Sequence, residues 1–575
     1  MKISAVIIWI TTTMFFFVGC TNVLEKYPLD VPSQETFWKN ATEIERGINS
    51  CYSFLQETAT NSYLFPLVLD CFTNIGYVRE AGNHKTIAVG DHNDRTSEIV
   101  NTWTRAYQGI GRCNVMLELI EEKASLLTDA QRKQFRGEAL FLRAFYYMRL
   151  IFYFGDVPLF TTPVETVMEG RNAVRTSKDQ VYRQIMDDFT EAVELLDIQY
   201  SNAKDIGRAT RGTANAYKAR AALYYGQYDV AAAAAKAVIE SGVYQLYPKY
   251  GDLFVSTGLW DANNKEILFK KEYSSILSLY HTLPQVLQGR MPNGGYSSFV
   301  PSQQLIDSYH CIDGNNIEES PLFNKANPFE NRDPRLALTV ILPGSRFGDY
   351  LYETHIDSTL CWNYVTNTRV SNGNCYIASP VAVSHTGYLF RKYNDAGYIS
   401  KKTQGDYPII LCRYAEVLLT YAEAKIELGE VDQSVIDAIN SIRRDRDDVK
   451  MPEYTLADFA NQNTARLKVR HERKIELAFE GLRYQDIRRW GWASTYGNQP
   501  ILGRAFKGAY SEWPNVTFDA NGEPVYDYNN YRSFIEYPDY RIVEHRHFTV
   551  GKHELWPIPQ RDRNLNPDLT QNPGY

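Results

Sequence analysis

The sequence predicts a mainly α protein in which a helical-repeat scaffold carries a large irregular, loop-rich region. Two observations point to the scaffold: an apolar period of three to four residues over long stretches on both sides of the chain's centre, and two alanine-rich helical hairpins that repeat the same residue types around a turn glycine. A third observation marks the irregular part. Between about 250 and 406 the helical period fades, and Gly, Pro, Asn and Ser punctuate short extended runs.

At the N-terminus, Met1 and Lys2 precede an apolar run from Ile3 to Val18 that is interrupted only by Ser4 and Thr11 to Thr13. This is the composition of a signal peptide over 1–19, and the run falls short of the about 20 apolar residues a membrane helix needs. Phe17, Val18, Gly19 and Cys20 follow the order of a bacterial lipobox, with Phe17 and Val18 off its usual residue types and Gly19 and Cys20 on them. Lipidation at Cys20 is therefore expected, against the alternative of a secreted chain with a chance cysteine. A tether over 20–34 and one folded domain over 35–575 would follow it. That domain divides into scaffold at about 35–250 and 407–490, insertion at about 250–406 and a loop-rich tail at 491–575.

Within the scaffold, Leu140, Ala144, Tyr147, Ile151 and Phe154 make one apolar stripe, which predicts a helix over 136–154. Gly155, Asp156 and Pro158 stop it. A second helix is predicted over 177–196. The first hairpin pairs 210–225 with 229–241, and the second pairs 414–428 with 432–444. Ala219, Ala221, Leu223, Gly226 and Asp229 fall opposite Ala422, Ala424, Ile426, Gly429 and Asp432. Small residues where helices cross and a glycine at the turn are what a tetratricopeptide-type hairpin requires. A further helix is predicted over 464–489.

The net charge of −7 comes without a basic block, which excludes nucleic acid as a partner. No HExxH, GxSxG, Walker or EF-hand pattern occurs, so no metal or cofactor is expected. Seven cysteines follow Cys20 without CxxC spacing. One bridge, Cys361 to Cys375, is compatible with their positions; the favoured reading is buried small hydrophobes. Glu472, Glu476 and Glu480 stand at i, i+4 and i+8 and invite comparison with a glycosidase pair. Arg470, Arg473, Arg483 and Arg488 crowd them, however, and arginine neighbours lower carboxylate pKa values, the opposite of what a general acid needs. A buried ion-paired seam is the better reading.

Four separated blocks resemble the SusD/RagB lipoproteins of Bacteroidota outer membranes: 143–159 (RAFYYMRLIFYFGDVPL), 413–424 (RYAEVLLTYAEA), 472–490 (ERKIELAFEGLRYQDIRRW) and 555–575 (LWPIPQRDRNLNPDLTQNPGY). The resemblance implies a tetratricopeptide-like scaffold with an irregular ligand-binding half, seated on a SusC-like TonB-dependent transporter. It implies capture of an oligosaccharide or polysaccharide at the cell exterior, with peptide as the alternative ligand. A hydrolase, and a protein-interaction scaffold with no small ligand, are further readings. Arg143, Tyr414, Glu416, Glu472, Glu476 and Arg489 match motif positions that look structural.

For the ligand site, the resemblance directs attention to 70–79, where relatives present polar sugar-binding residues. Asn74 and Arg79 are candidates to hydrogen-bond hydroxyl pairs and Tyr77 to stack, although relatives often have an aspartate near Asn74. Aromatics in turn-rich sequence add Trp260, Tyr296, Trp362 and Tyr364, since a flat apolar face with a polar edge suits a sugar ring. His92 and Asn93, in a polar loop, complete the candidate set; a solvated turn is the alternative for them, as a lid on its own core is for each aromatic.

Overall fold

A computed structural model of the protein describes residues 38–55, 65–200, 202–378, 382–507, 513–530 and 540–575. The signal peptide, Cys20 and the tether lie outside these residues. The longer helices are α1 (Ala41–Tyr52), α2 (Ser97–Glu122), α3 (Asp129–Phe154), α4 (Lys178–Leu195), α5 (Arg211–Tyr225), α6 (Tyr228–Glu240), α7 (Tyr414–Glu427), α8 (Gln433–Arg444), α9 (Gln462–Glu476) and α10 (Arg483–Arg489). Side-chain caps fix many of the starts. Thr128 and Gln131 form a capping box on α3, while Ser177, Thr210, Asp432 and Asn461 accept backbone N–H groups at α4, α5, α8 and α9. Gly226 ends α5 in the left-handed region at φ +80°, which a Cβ would disfavour.

The helices stack in chain order, α2 on α3, α3 on α4, α4 on α5, α5 on α6 and α7 on α8, and α6 packs on α7. The two hairpins read from the sequence are thus neighbours in space despite the insertion between them. Ala219, Ala221, Ala231, Ala235, Ala422 and Ala424 are buried at these crossings, and their small size lets the helix axes approach. The mainly α helical-repeat fold is as the sequence predicts.

The insertion leaves and re-enters through an antiparallel ribbon, Ile267–Lys271 against Ile409–Arg413. It is less irregular than its composition suggests. Gly76–Val78 pairs with Phe299–Pro301, Val340–Ile341 with Leu389–Phe390, and a four-stranded sheet runs in the order Arg346–Phe347, Tyr350–Leu351, Leu360–Asn363, Thr368–Ser371. The tail returns to the scaffold. Trp556 stacks on Tyr153 of α3 at 4.5 Å and donates its indole N–H to Tyr484 Oη at 2.8 Å.

Two local readings are corrected. The helix expected over 464–489 is broken at 477–482, where Phe479 and Gly481 adopt φ +62° and +82°. Buried Asp70 makes this turn, accepting from the backbone N–H groups of Glu480, Gly481 and Arg483 at 3.1–3.2 Å. Glu480 therefore leaves the helical face of Glu472 and Glu476. The second correction concerns the alternative bridge: Cys361 and Cys375 are free thiols, and all seven described cysteines are buried. Cys361 Sγ lies 3.9 Å from Met291 Sδ.

The acidic cluster forms the predicted seam. Arg413 bonds Glu266, Glu476 and Glu480 at 2.7–2.8 Å, Arg446 bonds Glu266 and Glu476 at 2.6–2.7 Å, and Arg443 bonds Glu472 at 2.9 Å. From the insertion, Arg335 reaches Glu472 and Glu476, and Lys392 reaches Glu480 at 2.7 Å. These side chains are almost wholly buried. The seam locks the insertion onto the scaffold, because each half would otherwise hold unpaired buried charge.

Candidate functional site

The structure separates the sequence-predicted residues into distinct places. Asn74 and Tyr77 are interior. Asn74 donates to Glu523 at 3.3 Å, and Glu523 also receives Lys474 and Arg483. Tyr77 is 3% exposed, stacks on His385 and hydrogen-bonds its Nδ1 at 3.3 Å. Neither side chain presents itself to a sugar, because the strand Gly76–Val78 carrying Tyr77 is buried along its length.

Arg79 has partners within the protein. Its Nε donates to the carbonyls of Tyr296 and Ser297 at 2.9 and 3.3 Å, and a terminal nitrogen pairs with Glu80 at 2.9 Å. It holds the loop that presents Tyr296. His92 is also interior: it bonds the Tyr575 hydroxyl at 2.7 Å, and burial, with His553 and Arg488 adding to it, pushes its pKa down to about 3. Asn93 beside it is exposed, but its side chain closes a turn by accepting from Arg95 N at 2.9 Å.

Four aromatics remain at the surface. Tyr296 is exposed on a loop that wraps on itself: Gly295 N–H donates to Gly289, Tyr296 N–H to Gln285 and Ser297 N–H to Gln288, at 2.8–3.0 Å. A Cβ on Gly295 would stand 2.4 Å from the Gln288 carbonyl, so only glycine allows this wrapping. The loop is fixed to the neighbouring sheet through Met291, which meets Cys361 and accepts the Gly373 N–H at 2.9 Å.

On that sheet, Leu360–Asn363 alternates outward and inward. Cys361 points to the core, and Trp362 points out beside Arg369, its cross-strand partner. Tyr364 continues the outward face and carries the Arg346 guanidinium 4.9 Å above its ring. Arg346 and Arg369 are neighbours that sequence reasoning missed; the alternation through LCWNY against TRVS was the signal that would have found Arg369, whereas Arg346 comes from a separate strand. Trp260, half-exposed, stands elsewhere, at the mouth of a cavity beside the ribbon strand Ile267–Lys271.

This surface carries Tyr296 and, on the outward face of the sheet, Trp362 opposite Arg369 and Tyr364 beneath Arg346. Flat apolar faces flanked by fixed donors hold a ring without bond-making chemistry. The carboxylates that invited a catalytic reading are not part of it. Burial pushes the Glu472 carboxyl up, but Arg335 and Arg443 outweigh it and hold it below the usual range; Arg413 and Lys392 do the same for Glu480. Neither has a proton to give near neutrality, and neither faces solvent.

Residues 265–575 match the family model described as the SusD family, and residues 27–223 match one described as starch-binding associating with outer membrane. SusD-like protein P2 of Formosa agariphila is 27% identical over 553 residues, covering 90% of this chain and 94% of the relative. Among solved structures, a SusD-like carbohydrate binding protein from Bacteroides fragilis is 28% identical with a TM-score of 0.78, over 93% of this chain and 100% of the other. A laminarin binding SusD-like protein shares the fold at 20% identity, with a TM-score of 0.61 over 94% and 100% of the two chains.

Proposed function

The chain belongs to the SusD family, and on that premise we propose that it is a non-catalytic lipoprotein of the outer membrane that binds a glycan at the cell exterior. Cys20 carries the lipid, and a SusC-like TonB-dependent transporter receives the ligand. The names of the relatives, carbohydrate binding for the Bacteroides fragilis protein and laminarin binding for another, support a saccharide ligand.

The observation that carries the reading is the exposure of Tyr296 and Trp362 on the outside of the insertion, Tyr296 on a hydrogen-bonded loop and Trp362 on the outward face of a sheet. Exposed rings of this kind grip sugars by stacking and release them easily, as handover requires. The buried ion-paired state of Glu472 and Glu480 supports a non-catalytic role. Affinity electrophoresis and calorimetry of the purified chain against polysaccharides, oligosaccharides and peptides provide the test. Retention by a glycan without release of reducing ends is the expected result; binding of peptides alone would overturn it.

A further inference from the structure

The ribbon strand Ile267–Lys271 and the loops before it enclose a cavity of about 530 Å³ whose rim carries Trp260, 49% exposed. That volume lies in the range of small-ligand sites. Lys270 Nζ lies 6.0 Å from the centre of the indole ring. Asp261, next in the chain, is fixed by its own hydrogen bonds, with Asn263 N–H at 2.9 Å on one carboxylate oxygen and the Tyr247 hydroxyl at 3.1 Å on the other. Each oxygen of an ionised carboxylate accepts more than one hydrogen bond, so both retain capacity toward the cavity. Lys265, exposed, and Lys270, paired with Glu272 at 3.0 Å, also line it.

A half-exposed indole, a fixed carboxylate and two lysine ammonium groups at one cavity match the two needs of a sugar ring, a flat apolar face to stack on and alternating acceptors and donors for its hydroxyls. The cavity is distinct from the Tyr296 loop. The segment 395–402 stands between them, with Tyr398 touching Trp260, while the Ile399 carbonyl accepts from Asn293 of the Tyr296 loop at 2.8 Å.

We propose that the Trp260 cavity is a second sugar-ring subsite, in which the ring stacks on Trp260, Asp261 accepts from its hydroxyls and Lys265 and Lys270 donate to them. This rests on the glycan-binding reading. A chain long enough to pass the 395–402 segment engages both places, so polymers are held more tightly than single rings.

The test is limited N-bromosuccinimide oxidation of the full chain, mapped by peptide mass spectrometry, with and without saturating laminarin, and separately soluble starch. Protection of both Trp362 and Trp260 by one glycan is the expected result. Protection of Trp362 alone overturns the second subsite and leaves the glycan-binding reading standing; protection of neither by any glycan tried overturns both. Trp260→Ala is expected to weaken polysaccharide affinity about five- to tenfold, the scale of one aromatic contact, with an unchanged melting temperature, since the ring is half in solvent. Unchanged affinity would contradict the subsite.

Discussion

Glu476 receives Arg335, Arg413 and Arg446 in the protein interior. Burial pushes its carboxyl up, and the three guanidinium groups together overcome that and hold it well below the usual carboxylate range. Glu476→Gln removes the charge that all three face, leaving buried cations uncompensated, and is predicted to cost about 3–5 kcal/mol in urea unfolding. Because the folded pKa values of Glu472, Glu476 and Glu480 are depressed, their contribution is present above the unfolded value and lost as pH falls through the folded ones. The melting temperature is therefore predicted to fall steeply below about pH 4.3. Asp70 runs the other way. Burial raises it to about 7 against the backbone N–H groups of Gly481 and Glu480, so its contribution is full below its unfolded value and fades as pH rises through 7.

At the scale of elements, the break between α9 and α10 is where the chain is least tolerant. Gly481 has φ +82°, and a Cβ there would lie 1.7 Å from the Pro66 carbonyl. Gly481→Ala is predicted to destabilise by about 3 kcal/mol or more, since left-handed strain and a backbone overlap add, which thermal unfolding would show against the control Gly111→Ala within α2, where a Cβ meets nothing and alanine is expected to stabilise by about 1 kcal/mol. This break was not legible in the sequence. FEGLRYQ carries helix-forming residues on both sides, and the group that turns it, Asp70, lies in another part of the chain. The two alanine hairpins were legible because period, small residues and turn glycines agree within one window. The partners of Asn74, Tyr77, Arg79 and His92 were not legible for one reason: residue type gave their chemistry, while Glu523, His385, the Tyr296 carbonyl and Tyr575, which use that chemistry, come from distant segments. Tyr296 and Trp362 were legible as exposed aromatics through the glycines and asparagines beside them.

Across the whole molecule, a stacked helical scaffold is joined to an insertion by the ribbon of Ile267–Lys271 with Ile409–Arg413 and by the charged seam beneath it. That joint makes the insertion a fixed platform, so its surface aromatics are positioned before a ligand arrives and little ordering entropy opposes capture. The contacts that hold the fold and those proposed to face a glycan are different residues, and mutation should separate them. The most direct measurement is calorimetric titration of the wild-type chain and of Tyr296→Ala/Trp362→Ala with the glycan that the wild type retains. The account predicts that the double variant loses at least about tenfold in affinity, the loss of two stacking contacts, while its melting temperature stays the same. Wild-type affinity in that variant would contradict it.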